Sequence, residues 1–163
     1  DGFDCVIRTG ALPEDGVIAR PLGKLTMVNC ASPHYLTRFG YPQSPDDLTS
    51  HAIVRYTPHL GVHPLGFEVA SVNGVQWFKS GGMLTVNSSE NYLAAGLAGL
   101  GIIQIPRIAV REALRAGRLI EVLPGYRAEP LSLSLVYPQR RELSRRVNLF
   151  MQWLAGVMKE HLD

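Results

Sequence analysis

The sequence predicts an α/β fold, and three observations carry that reading. Short apolar, β-branched runs alternate along the chain with segments of helical spacing, an order that argues for a mostly parallel sheet. The stretch from Thr85 to Pro106 reads as strand, polar turn, helix, glycine stop, strand and proline stop. The chain then closes on a helical pattern whose apolar face is Val147, Phe150, Met151, Leu154 and Met158, with Ser144 as its cap.

Each element has its local reason. Phe3 to Ile7 is a strand ending at Arg8-Thr9-Gly10, Val17 to Leu22 is a second extended piece, and Lys24 to Ala31 a third. Ser32-Pro33 opens a helix, serine as cap and proline in the first turn, and Gly40 ends it. Ser44-Pro45-Asp46-Asp47 repeats that grammar for a short helix stopping near His51, its acids favoured by the helix dipole. Ala52 to Tyr56 is a strand, and Thr57 to Gly66, with Pro58, Gly61 and Pro64, is a loop. Phe67 to Ala70, Val75 to Phe78 and Met83 to Val86 are short strands, with Asn73-Gly74 turning a hairpin between the first two. Asn87, Ser88 and Ser89 are candidate caps for a helix containing Tyr92, Leu93, Gly96 and Leu97. Gly101 to Ile105 is a doubly buried strand. A helix from Ile108 to Ala116 and strands Leu119 to Leu123 and Leu131 to Val136 precede the final helix.

The 163 residues suffice for one domain or two small lobes, and 46% hydrophobic with 18% charged is ordinary for a folded chain. No apolar run reaches the ~20 residues needed to span a bilayer, and no export signal opens the chain. A cytoplasmic protein is expected. Cys5 and Cys30 lie in apolar runs and read as buried reduced thiols. A net charge of +2 does not argue for a nucleic-acid surface. The abrupt start at Asp1-Gly2, directly before a strand, reads as a piece of a longer protein.

Several patterns are set aside on chemical grounds. Gly96, Gly99 and Gly101 close a helix and precede a strand, the reverse of a dinucleotide fingerprint, so they read as packing and capping. His59 and His63 are four apart, but Pro58, Gly61 and Pro64 oppose a helix there, and no zinc pattern or other cofactor site emerges. No Gly-x-Ser-x-Gly elbow is present, and no catalytic constellation supports an enzyme. Arg140, Arg141, Arg145 and Arg146 read as a solvated helix start.

The candidate ligand contacts lie where strands end, since open α/β sheets bind ligands at the C-terminal ends of strands. Arg8 and Thr9 close the first strand, which reads as buried, so an arginine there needs a reason. An arginine there offers a fork to a carboxylate or sulfate, or an ion pair with Glu14 or Asp15. Ser32, Asn87 and Ser88 stand at helix N-termini, where anions are favoured and where capping alone also explains them.

Taken together, "DCVIRTG", "VIARPLGKLTMVNCASPHYLTRFGYPQSPDDLTSHAIVRY", "MLTVNSSENYLAAGLAGLGIIQIP", "ALRAGRLIEVLP" and "LSLVYPQRRELSRRVNLFMQWL" resemble the effector-binding domain of LysR-type transcriptional regulators, in the family's order. The resemblance implies a type 2 periplasmic-binding-protein-like fold: two Rossmann-like lobes joined by two crossover strands, with a small metabolite held between them. On this chain residues 1–23 and 129–163 would form lobe I and residues 24–128 lobe II. Lobe I would be incomplete, and the winged helix-turn-helix DNA-binding domain would be absent. Ligand contacts implied by the family fall on Arg8, Thr9, Asn87, Ser88 and the strand carrying Gln104, with Ser32 bordering the cleft. Gln104 stands out because that strand is usually apolar; the expectation is that it reads a polar ligand atom. The implied partners are a small, anionic effector and, in the full-length protein, DNA through the N-terminal domain and a homodimer or homotetramer, with no membrane. A solute-binding protein of a transport system shares this fold and is the alternative reading.

Overall fold

The computed structural model describes residues 3–10, 16–57, 66–138, 144–160 and 162. The chain divides into two compact units, one of residues 1–26 and 130–163, the other Met27–Glu129.

In the first unit, β1 (Val6–Thr9), β2 (Val17–Leu25) and β10 (Leu131–Pro138) form an antiparallel sheet in the order β1-β10-β2. Arg8 lies opposite Ser134 and Thr9 opposite Leu133. The long β2–β10 ladder slips once. Leu133 faces Gly23 while Ser134 faces Pro21, so Leu22 bulges out between a proline, which has no amide to donate, and a glycine. Leu133, Leu135 and Val136 are buried, as is Met151 of α4 (Arg145–Met158). Ser144 caps α4 by accepting from the Val147 amide at 3.3 Å. Phe150, expected on the buried face, is 48% exposed; of the expected face only Met151 is fully buried.

The second unit is built on β3 (Met27–Ala31), flanked by β8 (Ile103–Pro106) and β9 (Ile120–Glu121), both antiparallel to it. A parallel bridge, Ile53 with Ile102, links the start of β8 to β4 (Ala52–Tyr56), which pairs in parallel with β7 (Gly81–Val86). The hairpin β5 (Phe67–Ser71) and β6 (Gly74–Phe78) is antiparallel. The expected mostly parallel sheet is therefore corrected: among the described strands only β4–β7 is a parallel ladder. Alternating strands and helices fix strand direction only when successive strands become neighbours. Here β3 takes both its partners from far along the chain, and they enter from the opposite end.

Helix α1 (Pro33–Phe39) starts and ends as its sequence dictates, with Ser32 accepting from the Tyr35 amide and Gly40 at φ 82° closing it. Pro45–Ser50 is a 3-10 helix with Ser44 and Asp47 as a capping box. Helices α2 (Ser89–Leu97) and α3 (Arg107–Arg115) complete the unit. The hairpin turn is displaced by one residue. Val72 and Asn73 are its central pair and Gly74, at φ 106°, opens β6 opposite Ser71. Two apolar clusters fill this unit, one around Val28, Val54, Tyr92, Ile103 and Val110, the other around Tyr35, Leu48, Phe67 and Ile102. No helix of the described residues is long and apolar enough to cross a membrane.

Candidate functional site

Strand β8 organises the interior of the second unit through one polar residue. Gln104 Nε2 donates to Asn29 Oδ1 at 2.9 Å and to the Glu68 carbonyl at 2.8 Å, and its Oε1 accepts from the Glu68 amide at 2.9 Å. The side-chain amide thus grips the backbone of β5 as a neighbouring strand would. Its own backbone amide donates to Tyr92 Oη at 2.8 Å, which ties β8 to α2. Asn29, fully buried on β3, passes the network on. Its Nδ2 donates to the carbonyls of Leu123 (3.2 Å) and Tyr126 (2.9 Å), holding a turn in which Leu123 adopts φ 48°. Every buried polar atom that lacks a partner is expensive, and this chain of bonds leaves none unpaired on Gln104's amide nitrogen.

Beside this network is a cavity of about 250 Å³. Its lining is polar at Gln104 and Glu68 and aromatic at Tyr56, Trp77 and Tyr92. Ile53, Val54 and Arg55 of β4, Met27 of β3, Gly66 and Ala128 complete the lining. The Tyr56 and Tyr92 rings stand 5.7 Å apart and tilted at 51°. Burial pushes the Tyr92 hydroxyl well above the ordinary phenol range, so it stays neutral and keeps its hydrogen bond.

The residues named from sequence fall in different settings. Arg8 and Thr9 lie on β1, both exposed, so the argument that a buried strand end must justify its arginine does not apply to Arg8. Glu14 and Asp15, considered as its ion-pair partners, lie outside the described residues, as do His59, His63, Arg140, Arg141 and residues 58–65 of the expected loop. Ser32 is buried, and its Oγ is occupied by the Tyr35 amide at 3.2 Å. Ser88 caps α2, accepting from the Asn91 amide at 3.3 Å and donating to Glu90 Oε2 at 2.7 Å. Asn87 is exposed beside it. Gln104 lines the cavity, with both of its amide hydrogens given to protein acceptors.

Sequence reasoning missed Asn29, Arg55, Glu68, Trp77 and the hydroxyl of Tyr92. One signal was available. Arg55 interrupts the apolar run Ala52 to Tyr56, where an arginine needs a reason, the argument applied to Arg8. The glycines were read correctly as packing and capping. A Cβ on Gly96 would come within 2.6 Å of Ile103 Cδ1, and one on Gly99, at φ 77°, within 2.9 Å of Ser32 Oγ. Cys5 and Cys30 are free. Cys30 is buried, and burial beside Glu121 pushes its thiol up to about 12, so it is unreactive. No cluster of metal-ligating side chains occurs among the described residues.

The family model of the LysR substrate binding domain matches residues 1–159. The chain belongs to this family. It is 99% identical over all 163 residues to the HTH-type transcriptional regulator YhjC of Escherichia coli K12, covering 54% of that protein. It is 32% identical over 162 residues to the HTH-type transcriptional activator AaeR of the same strain, covering 51% of it. An HTH-type transcriptional repressor of Pseudomonas aeruginosa is 34% identical over 163 residues, with 51% covered. The chain thus spans about half the length of the curated relatives it matches. Among solved structures, the regulatory domain of CrgA, a LysR-type transcriptional regulator from Neisseria meningitidis, superimposes with a TM-score of 0.81 at 26% identity, over 94% of this chain and 74% of that one. The type 2 periplasmic-binding-protein-like fold expected for LysR regulatory domains is the fold of this chain.

Proposed function

We propose that this chain is the effector-sensing part of a LysR-type transcriptional regulator, binding a small anionic metabolite and coupling that binding to DNA recognition by the full-length protein. The observation that carries the reading is the partly enclosed cavity in Met27–Glu129, built on polar and aromatic side chains within a LysR substrate binding domain. Small-molecule sites are concave, largely apolar, and oriented by a few fixed polar groups, and this cavity has that composition. The curated relatives are named as transcriptional regulators, which favours regulation over catalysis and over solute transport. Arg8 and Thr9 in the first unit, and Ser32, Asn87, Ser88 and Gln104 in the second, remain proposed ligand contacts; of these Gln104 lines the cavity. DNA contact and homodimer or homotetramer assembly are proposed for the full-length regulator.

An effector shifts a two-state equilibrium only through its different affinity for the two states. The test is a thermal-shift screen of organic acids and inorganic anions on the purified protein, with Arg8→Ala beside it. A true effector at 100 times its Kd should stabilise by about 2.7 kcal/mol. A shift lost in Arg8→Ala places the anion on β1. No stabilising acid or anion across the screen would overturn the anionic reading.

A further inference from the structure

Arg55 is the cation that the network around Gln104 does not use. It sits on β4, half-buried, and lines the cavity beside Tyr56. Among the described residues no carboxylate lies within ion-pair distance of it, and the ion pairs there join other groups, Arg107 and Arg127 with Glu121. Among the described residues its guanidinium makes one hydrogen bond, from Nη2 to the Ser80 carbonyl at 3.2 Å, and its Nε is buried with no partner there. The guanidinium is held from below. A Cβ on Gly82 would approach Arg55 Cζ and Nε at 3.1 Å, so the glycine leaves room for the group to lie flat on β7. The Nε is sealed from solvent, but the residue as a whole is only half-buried, and a guanidinium so placed, with no described carboxylate within ion-pair distance, leaves its outer N–H groups suited to an anion.

The walls narrow the chemistry. Tyr56, Tyr92 and Trp77 surround the same small space, and Trp77 is still 46% exposed, a large apolar ring with more surface to cover. Arginine presents a planar fork that suits a carboxylate held in two parallel hydrogen bonds. Aromatic faces and edges favour a flat ring partner over a saturated one of equal size. About 250 Å³ admits one ring with its substituents and little more.

We propose that the second unit carries an aromatic-carboxylate site, with Arg55 binding the carboxylate and Tyr56, Trp77 and Tyr92 enclosing the ring. It deepens the sensor reading and rests on it. Glu68 also lines the cavity, one of its carboxylate oxygens accepting from the Glu129 amide at 3.0 Å, and its charge disfavours a second negative charge on the ligand. A monocarboxylate is therefore the expected class.

The chain has two tryptophans, so Trp153→Phe, at an exposed position, leaves Trp77 as the sole indole reporter. Benzoate titrated against that variant should quench Trp77 with a Kd below roughly 10 mM. Benzamide, flat but neutral, and cyclohexanecarboxylate, charged but not flat, should each bind several-fold more weakly. Arg55→Gln should lose at least about tenfold in benzoate affinity, read by calorimetry, with far-UV circular dichroism unchanged. Trp77→Leu, on the outer hairpin, is a second variant that leaves β4 intact and should also weaken benzoate. Benzoate binding unchanged in Arg55→Gln, or absent up to roughly 10 mM, overturns the site. If benzoate fails while another acid from the wider screen stabilises the protein, the Arg55 site falls and the sensor reading stands. If the screen yields nothing either, both fall.

Discussion

Gly96 and Gly101 sit in one short stretch and are needed for different reasons. A methyl on Gly96 would meet the far end of the Ile103 side chain at 2.6 Å, which can rotate away at some cost. A methyl on Gly101 would meet the Ala52 carbonyl oxygen at 2.6 Å, the oxygen that accepts from the Ile102 amide in the link between β4 and β8. Backbone cannot yield without breaking that link. Gly96→Ala should therefore cost about 1 kcal/mol, overpacking partly offset by better helix propensity, and Gly101→Ala about 3 kcal/mol or more. Urea unfolding of both variants measures the contrast; equal costs would show that Ile103 is as immovable as the backbone. Gln104 is the other residue on which much turns. Gln104→Glu removes both donors and sets a carboxylate against Asn29 Oδ1 and the Glu68 carbonyl. A loss of about 2–4 kcal/mol is expected in the same measurement.

His51 adds a pH dependence. Its Nδ1 lies 3.0 Å from the Tyr35 hydroxyl, which also accepts from the Ala52 amide at 2.9 Å. Burial holds the His51 pKa below its ordinary 6.5, and Asp47 only partly opposes this. The unfolded chain therefore takes up the proton first. Stability is fully present above about pH 6.5 and falls as the pH drops below it toward the folded-state pKa. His51→Asn should flatten that part of the stability profile. Asp47, whose carboxyl is held low by the Gln43 and Ser44 amides, acts only in a more acid window, below its ordinary 3.8.

At the scale of elements, the helix starts behave as local chemistry requires. Ser32, Ser88 and Ser144 each accept from an amide three residues on, and two of the three sit where the sequence also offered ligand contacts. Their environments differ. Ser32 is buried against Gly99 and cannot pass its amide to water, whereas Ser88 is partly open. Ser32→Ala should cost about 2 kcal/mol and Ser88→Ala about 0.5–1 kcal/mol, measured as shifts in urea midpoint. A Ser88→Ala variant that keeps its stability but loses effector-induced stabilisation would assign Ser88 to the ligand. The hairpin shows a limit of local reading. Asn73-Gly74 announced a turn, but the register of β5 on β6 moved its centre to Val72-Asn73.

At the scale of the molecule, buried apolar side chains are unevenly shared. Both apolar clusters lie within Met27–Glu129, while α4 exposes Leu149, Phe150 and Trp153. Amide exchange follows local opening, and opening is cheapest where little apolar surface is buried. The amides of β3 and β8 should thus exchange slowest, and those of β1 and α4 orders of magnitude faster, by mass spectrometry of deuterated peptides. Uniform protection across the chain would contradict this division.

The sequence by itself determined the local grammar: which segments are strand or helix, where serines and glycines begin and end helices, and that Gly96, Gly99 and Gly101 serve packing. Those features depend on neighbours a few residues away, so a one-dimensional reading reaches them. The family was legible too, because its pattern of caps and stops is written in order along the chain. Only the tertiary structure decided that β3 lies antiparallel to both its neighbours, that Gln104 is spent on Asn29 and Glu68, and that Arg55 shares a cavity with Tyr56, Trp77 and Tyr92. Apart from Tyr56, which adjoins Arg55, those partners are separated by tens of residues. Hydrogen bonding and charge compensation act through space, and no spacing along the chain records which distant atoms will satisfy them.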